Sequence, residues 1–422
     1  MEVREASAAY AVTATPQVPK GYKQTEVGVI PKDWNHRTFG RLYAEPSRNG
    51  VYKTSEFQGR GTRIVNMGEM FGYEFISDQE MSRVALTTKE LSTSGLQDGD
   101  LLFGRRSVVP AGAGKCSMVV SPPEPITFES SIIRVRLDKT GTHPLFYYYF
   151  FASPTGRSTI ATIVSGTNVK GIRATELKEL KVPLPTKAEQ EAIAEALSDA
   201  DALIESLEQL LVKKRRVKQG TMQELLTGKR RLPGFRGEWE VKRLGSVLRF
   251  QVGFPFSSAY FNEAGQGIRV VKNRDLKSDD SVFHYSGKYE EGFMVKDGDV
   301  LVGMDGNFLP CLWAKGAALL NQRVGRIVPL GGLDRVFAFY YLIESLKEIE
   351  DATSSTTVKH LSHGDIEDIE KPLPVVEEQT AIATILSDLD AELSALEEKL
   401  AKARDLKQGM MQELLTGRIR LV

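Results

Sequence analysis

Lys218-Gln219-Gly220-Thr221-Met222-Gln223-Glu224-Leu225-Leu226-Thr227-Gly228 occurs twice. It returns as Lys407 to Gly417, with Met410 in place of Thr221 as the one difference. Working outward at the same offset, Pro183-Leu184-Pro185 matches Pro372-Leu373-Pro374, Gln190 matches Gln379, and Ser198-Asp199 matches Ser387-Asp388. Further back the match loosens and the offset drifts. Val169-Lys170 pairs with Val358-Lys359, Asp98-Gly99-Asp100 with Asp297-Gly298-Asp299, Trp34 with Trp239, and Gly40 with Gly245. A fixed period with insertions in its variable part is the mark of an internal duplication. The chain is read as two copies of one unit, each a globular region followed by a long helix.

The helices follow from apolar spacing. Ile193, Leu197, Ala200, Ile204, Leu207 and Leu211 step 4-3-4-3-4, and Ile382, Leu386, Leu389, Leu393, Leu396 and Leu400 repeat that step. This is an a/d seam sustained over about three heptads. Thr186 and Glu189 are expected to open the first helix as a capping box, and Gly228 and Gly417 to close the two helices. Gly220 and Gly409 fall inside them, each costing about 1 kcal/mol against Ala, which points to a close backbone approach. About 40 residues of helix make a rod of roughly 60 Å.

The boundaries expected are an arm over 1–19, poorly ordered because it is Ala/Thr-rich, a globular region over 20–185, a helix over 186–232, a second globular region over 233–374 and a second helix over 375–422. The fold class is α+β. Leu101-Leu102-Phe103 and Val300-Leu301-Val302 follow the Asp-Gly-Asp turns and read as buried strands. Ser131–Arg136 and Arg323–Val328 read as further strands. The aromatic runs Phe146–Phe151 and Phe337–Tyr341 read as a buried helix face in preference to a base-stacking platform.

Composition excludes several function classes. The 422 residues carry 55 basic and 55 acidic side chains, so this is neither a basic nucleic-acid coat nor an acidic disordered chain. The balance is uneven along the chain: residues 20–185 hold 22 basic and 16 acidic groups, whereas 233–374 hold 17 and 20. If both regions meet DNA, the second must do so by local placement of charge. Two cysteines, Cys116 and Cys311, make no disulfide framework and fit a cytoplasmic protein. No apolar run is long enough for a membrane span, and the start lacks a signal-peptide pattern.

Fragments that imitate catalytic motifs fail on their chemistry. Gly114-Lys115-Cys116 lacks the first glycine and the Ser/Thr of a phosphate loop. Ser121-Pro122-Pro123-Glu124 lacks the aromatic that would stack on a flipped base in an amino-methyltransferase. His360 and His363 have no third metal ligand in view. Glu240-x-Lys242 lacks the preceding aspartate of a nuclease. No catalytic residue, cofactor or metal site is expected.

Together the duplication, the Pro-Leu-Pro turn with its following Glu-Gln, the Lys-Gln-Gly-x-Met-Gln-Glu-Leu-Leu-Thr-Gly ending and the opening Gly21–Trp34 resemble one family. It is the specificity subunit of type I restriction–modification systems, and the resemblance covers about residues 20–422. It implies two similar mixed α/β target-recognition domains joined by two long helices in an antiparallel coiled coil with pseudo-twofold character. Each domain would read one half of an asymmetric bipartite site in double-stranded DNA, and the helices would set the spacing. It also implies two docked methyltransferase subunits and, for restriction, separate translocase–nuclease subunits, with no active site in the chain itself.

The residues expected to meet DNA lie in loops. Arg105, Arg106 and Ser107 follow the first Asp-Gly-Asp strand, and arginine reads guanine bidentately. Solvated surface arginines are the plain alternative. Asp305 and Asn307 hold the matching place in the second copy. Asn321, Gln322 and Arg323 precede a strand, where Arg323 could equally form a structural ion pair. Thr167, Asn168 and Lys170 match Thr357 and Lys359 in polar loops ending in lysine. A competing reading from another class is a scaffold that joins two partners without reading DNA. Against it stands the contrast between closely matched helices and divergent globular regions, which a scaffold for two identical partners does not need.

Overall fold

The computed structural model describes residues 18–109, 112–352 and 360–421. The arm expected over 1–19 therefore lies almost wholly outside the described residues, as do Thr357 and Lys359. The chain forms two compact units, residues 1–206 with 400–422 and residues 207–399. The division falls inside both long helices, Lys187–Leu225 and Val376–Leu414.

In the first unit a five-stranded sheet runs in the order Arg48–Asn49, Ile132–Val135, Leu101–Gly104, Cys116–Val119, Phe75–Ile76. All its pairings are antiparallel except the last. Gln58–Val65 pairs in parallel with Ile126–Phe128 and antiparallel with Arg83–Val84. The aromatic helix Pro144–Ala152 is buried over all of Phe146–Phe151 and packs among Phe39, Phe103 and Leu177. Phe151 meets the Phe39 and Phe103 rings edge-on at 4.8 and 5.1 Å, a favoured aromatic geometry.

The second unit repeats the plan. Leu248–Val252, Val324–Pro329, Val300–Gly303 and Pro310–Leu312 form one sheet. A second sheet orders Phe261–Asn262, Phe283–Tyr285, Ile268–Val271, Ala318–Leu320 and Met294–Val295. The helix Arg335–Ala352 buries Phe337, Tyr340 and Tyr341. In each unit a two-stranded ribbon ties the start of the globular region to its end: Asn35–Thr38 with Lys181–Leu184, and Glu240–Arg243 with Glu370–Leu373.

Each core takes the start of one long helix and the end of the other. Ile193 and Leu197 join Leu414 and Leu415 in the first unit; Ile382 and Leu386 join Leu225 in the second. The apolar seam is buried or half-buried at every expected position, while Leu203 and Leu210 beside it are exposed. The two helices pair antiparallel within each unit. Lys407 meets Asp201 in the first, and in the second Lys214 meets Glu392 and Lys218 meets Asp390.

The repeated motifs turn out to be joints. Trp34 Nε1 donates to the buried Glu189 carboxylate at 2.8 Å, and Arg420, which follows the second helix, binds the same carboxylate. In the second unit Trp239 and Arg231 hold the buried Glu378 in the same way, at 3.2 and 2.7 Å. The expected capping box is thus half present: the Glu189 amide donates to Thr186 Oγ1 at 3.3 Å, but its carboxylate turns inward to Trp34 and Arg420. The neighbouring glutamines do the rest. Gln190 accepts from the His143 amide and donates to the carbonyls of Gly141 and Pro185; Gln379 accepts from Asp334 and donates to Gly332 and Pro374. Gly228 and Gly417 have φ of 69° and 70°, which only glycine adopts freely at a helix end. Among the described residues nothing comes within 4 Å of a Cβ placed on Gly220 or Gly409, which leaves the approach expected there to a partner.

Candidate nucleic-acid interface

Two loops that lie far apart in sequence come together in the first unit. Arg106–Ser107 pairs antiparallel with Lys170–Gly171, and the Ile172 amide donates to the Arg105 carbonyl at 3.0 Å. The Arg105 amide donates to Ser131 O at 2.8 Å, which adds the turn between Phe128 and Ile132. Arg106 is exposed, while Arg105 is half-buried, with Nη1 3.5 Å from the Ser130 carbonyl. Thr167, Asn168 and Val169 are exposed at the tip of the second loop, and Lys170 Nζ folds back to the Gly166 carbonyl. Ser107 Oγ accepts from the Val109 amide at 3.0 Å, so it shapes its own loop.

The second unit brings together the same positions in the same register. Asp305 forms a bridge with His360, as Arg106 does with Gly171. The Met304 amide donates to Arg323 O at 3.0 Å, as Arg105 does to Ser131. The side chains differ entirely. Arg323 Nη1 binds Asp305 Oδ2 at 2.8 Å, and the other carboxylate oxygen faces His360 Nδ1 at 3.0 Å. The ion pair that the sequence left open for Arg323 is therefore formed. Asn307 is half-buried and its Oδ1 accepts from the Leu309 amide at 3.0 Å, so it shapes its own loop. Asn321 and Gln322 make the turn before Arg323, with Gln322 exposed. Thr357 and Lys359, just before His360, lie outside the described residues.

Beside each cluster runs a loop that the sequence reading missed: Gly50-Val51-Tyr52-Lys53-Thr54-Ser55-Glu56-Phe57 and Gly253-Phe254-Pro255-Phe256-Ser257-Ser258-Ala259-Tyr260. Val51 bridges to Glu129, and Phe254 bridges to Asn321. A Cβ on Gly50 would fall 2.1 Å from Phe128 O, and one on Gly253 2.2 Å from Asn321 O, so both positions require glycine. Tyr52 is 82% exposed and Phe254 41%. The repeated glycine, serine and terminal aromatic were the available signal, masked by the local change of offset.

The discarded motifs have plain structural roles. Lys115 donates to the Phe71 carbonyl at 2.6 Å, and burial pushes the Cys116 thiol pKa up. Glu124 pairs with Arg83 and Arg63, whose positive charges hold its carboxyl below the usual range, the Arg83 hydrogen bond first. No group of three or more potential metal ligands occurs among the described residues, and no helix there is long and apolar enough to cross a membrane.

The family model for the type I restriction modification DNA specificity domain matches residues 31–213 and again 236–403. The chain belongs to this family. Among specificity subunits, the putative MjaX subunit of Methanocaldococcus jannaschii is 26% identical over 427 residues, covering 95% of this chain and 97% of that protein. The EcoBI specificity subunit of Escherichia coli is 35% identical over 186 residues, 43% of this chain and 39% of that one. The crystal structure of a type I restriction–modification S subunit from M. genitalium shares the fold. Its TM-score is 0.56 at 17% identity, over 90% of this chain and 96% of that one. One family-model match falls within each of the two copies read from the repeat.

Proposed function

We propose that this chain is the DNA-reading subunit of a type I restriction–modification complex. Each globular region reads one half of an asymmetric bipartite site in double-stranded DNA. The long helices set the gap and carry two methyltransferase subunits, and restriction–translocase subunits join for cleavage. The chain itself performs no chemistry, and the setting is the cytoplasm. One observation carries the reading: a common frame, held by identical joints, presents different side chains at one matched loop cluster. Arg105, Arg106 and Gly171 stand in the first unit where Met304, Asp305 and His360 stand in the second. Bases are distinguished by side-chain chemistry in a fixed register, and a duplicated frame with divergent edges supplies that twice.

Partner docking is supported by exposed identity. Gln219 and Gln408, and Gln223 and Gln412, are exposed, identical between the copies and outside the core. Gly220 and Gly409 leave open space above the backbone. Packing within the chain does not require these residues, whereas two identical partners do. We expect the purified chain to transfer no methyl group, and methyl transfer to appear when a methyltransferase subunit is added. Mass measurement should then give two bound copies per chain. One copy at saturation contradicts the two-site reading, and methylation by the chain alone contradicts the assignment of chemistry to partners.

Arg106→Ala and Arg105→Ala should weaken the half-site read by residues 20–185. A lost base contact costs about 1–3 kcal/mol and relaxes the preference at one position. Competition binding with single-base variants of the target checks this. Equal weakening for all sequences marks a phosphate contact instead.

A further inference from the structure

Deepening the proposed reading and resting on it, we infer that Arg323 reads a guanine in the half-site of residues 233–374, with Asp305 as its positioning residue. Each oxygen of the Asp305 carboxylate has a partner, one on Arg323 Nη1 at 2.8 Å and the other facing His360 Nδ1 at 3.0 Å. With both oxygens already partnered and the carboxylate less exposed than the guanidinium, the outward chemistry of this corner is chiefly that of a donor. Arg323 is 57% exposed at its side chain against 23% for Asp305. Its Nη1 is spent on Asp305, while Nη2 and Nε make no hydrogen bond among the described residues. That edge has two parallel N–H groups, the pattern that guanine O6 and N7 accept.

The base of the arginine is fixed as firmly as its tip. Its carbonyl accepts from the Met304 amide at 3.0 Å, and the preceding turn is braced by Gln322 N to Phe254 O at 3.1 Å and Phe254 N to Leu320 O at 2.9 Å. The Asp305 carbonyl accepts from Asn273 Nδ2 at 2.6 Å. An exposed ion pair adds little to stability. Holding a long side chain in one rotamer before binding, however, lowers the entropy lost when it meets a base. The first unit has the crossed arrangement, with Arg106 in the place of Asp305 and Ser131 in that of Arg323. The two corners thus present a basic group from opposite strands, in keeping with different half-sites.

The test uses the full chain with its methyltransferase partner and DNA randomised in the half-site of residues 233–374. For the wild type, one position should select guanine. Arg323→Ala should erase that selection, lower affinity for the preferred sequence about 10- to 100-fold, and leave the other half-site unchanged. Arg323→Lys should erase it too, because lysine keeps the charge but not the fork. Asp305→Asn should reduce discrimination at that position alone, which a purely structural role would not do. Equal weakening at every sequence, with a salt slope smaller by about one, overturns the inference in favour of a phosphate contact. Unaltered guanine selection in Arg323→Ala overturns it as well. Absence of any base preference in the wild type defeats the parent reading, and the inference with it.

Discussion

Replacing Glu378 by alanine should destabilise residues 207–399 by about 2–3 kcal/mol while leaving the rest of the chain folded. The carboxylate is wholly buried and takes the Arg231 guanidinium on both oxygens at 2.7 Å, together with Trp239 Nε1. Removing it leaves an arginine and an indole N–H without their acceptor. Breaking a fully buried pair costs about 3–5 kcal/mol; the figure here is lowered because Arg231 keeps 26% of its side-chain surface in water. For a unit of roughly 200 residues, 1 kcal/mol shifts the midpoint by about 2–4 °C, so calorimetry should show a drop of about 4–12 °C. Glu189→Ala should do the same to the other unit, by less, because Arg420 retains Asp33 at 2.8 Å. Hydrogen exchange checks the locality: protection should fall in the unit that holds the mutated joint. Equal loss in both units contradicts the assignment of one joint to each.

Lengthening the helices should lengthen the gap between half-sites. Four residues inserted after Leu207, with four more after Lys399 so that both helices grow together, add about 6 Å and slightly more than one turn. At about 3.4 Å per base pair that is a little under two base pairs. The seam shifts by half a heptad, a stutter that locally unwinds the coil yet keeps an apolar face. The DNA twist turns the far half-site by about 70° over two base pairs, given about 10.5 base pairs per turn. Affinity should therefore fall while the preferred gap grows. Selection from DNA with both half-sites fixed and the gap varied measures this. An unchanged gap in a folded, binding-competent variant shows that something other than the helices sets the distance.

The helices and the buried aromatic runs were legible because they are dictated by periodicity and by apolar mass. The 4-3 spacing from Ile193 to Leu211 has one reading, and Phe146–Phe151 has nowhere to go but a core. The joints were visible as repeats but not as chemistry. Glu189 reads locally as a capping residue, and only the fold reveals that Trp34 and Arg420, 155 and 231 positions away, claim its carboxylate. Arg231 and Arg420 share the offset of the helices and could have been found by it. The matched loop cluster was half legible. Arg105–Ser107 and Lys170 were chosen separately, each from its own loop, and their pairing is a matter of sheet register that no local pattern encodes. Arg323 was chosen with an ion pair as its rival use; in the fold that ion pair holds the side chain in place. The Gly50 and Gly253 loops escaped because the requirement for glycine there comes from a carbonyl about 70 residues along the chain.

The central claim is that two regions on one frame read two different half-sites. Its most direct test exchanges residues 233–374 for the corresponding region of another specificity subunit and selects the targets of wild-type and exchanged complexes from fully randomised DNA. The wild type should yield two specified blocks separated by an unspecified gap of fixed length. The exchange should replace one block and leave the other block and the gap intact. A single continuous block, or a change in both blocks on exchange, would contradict the account.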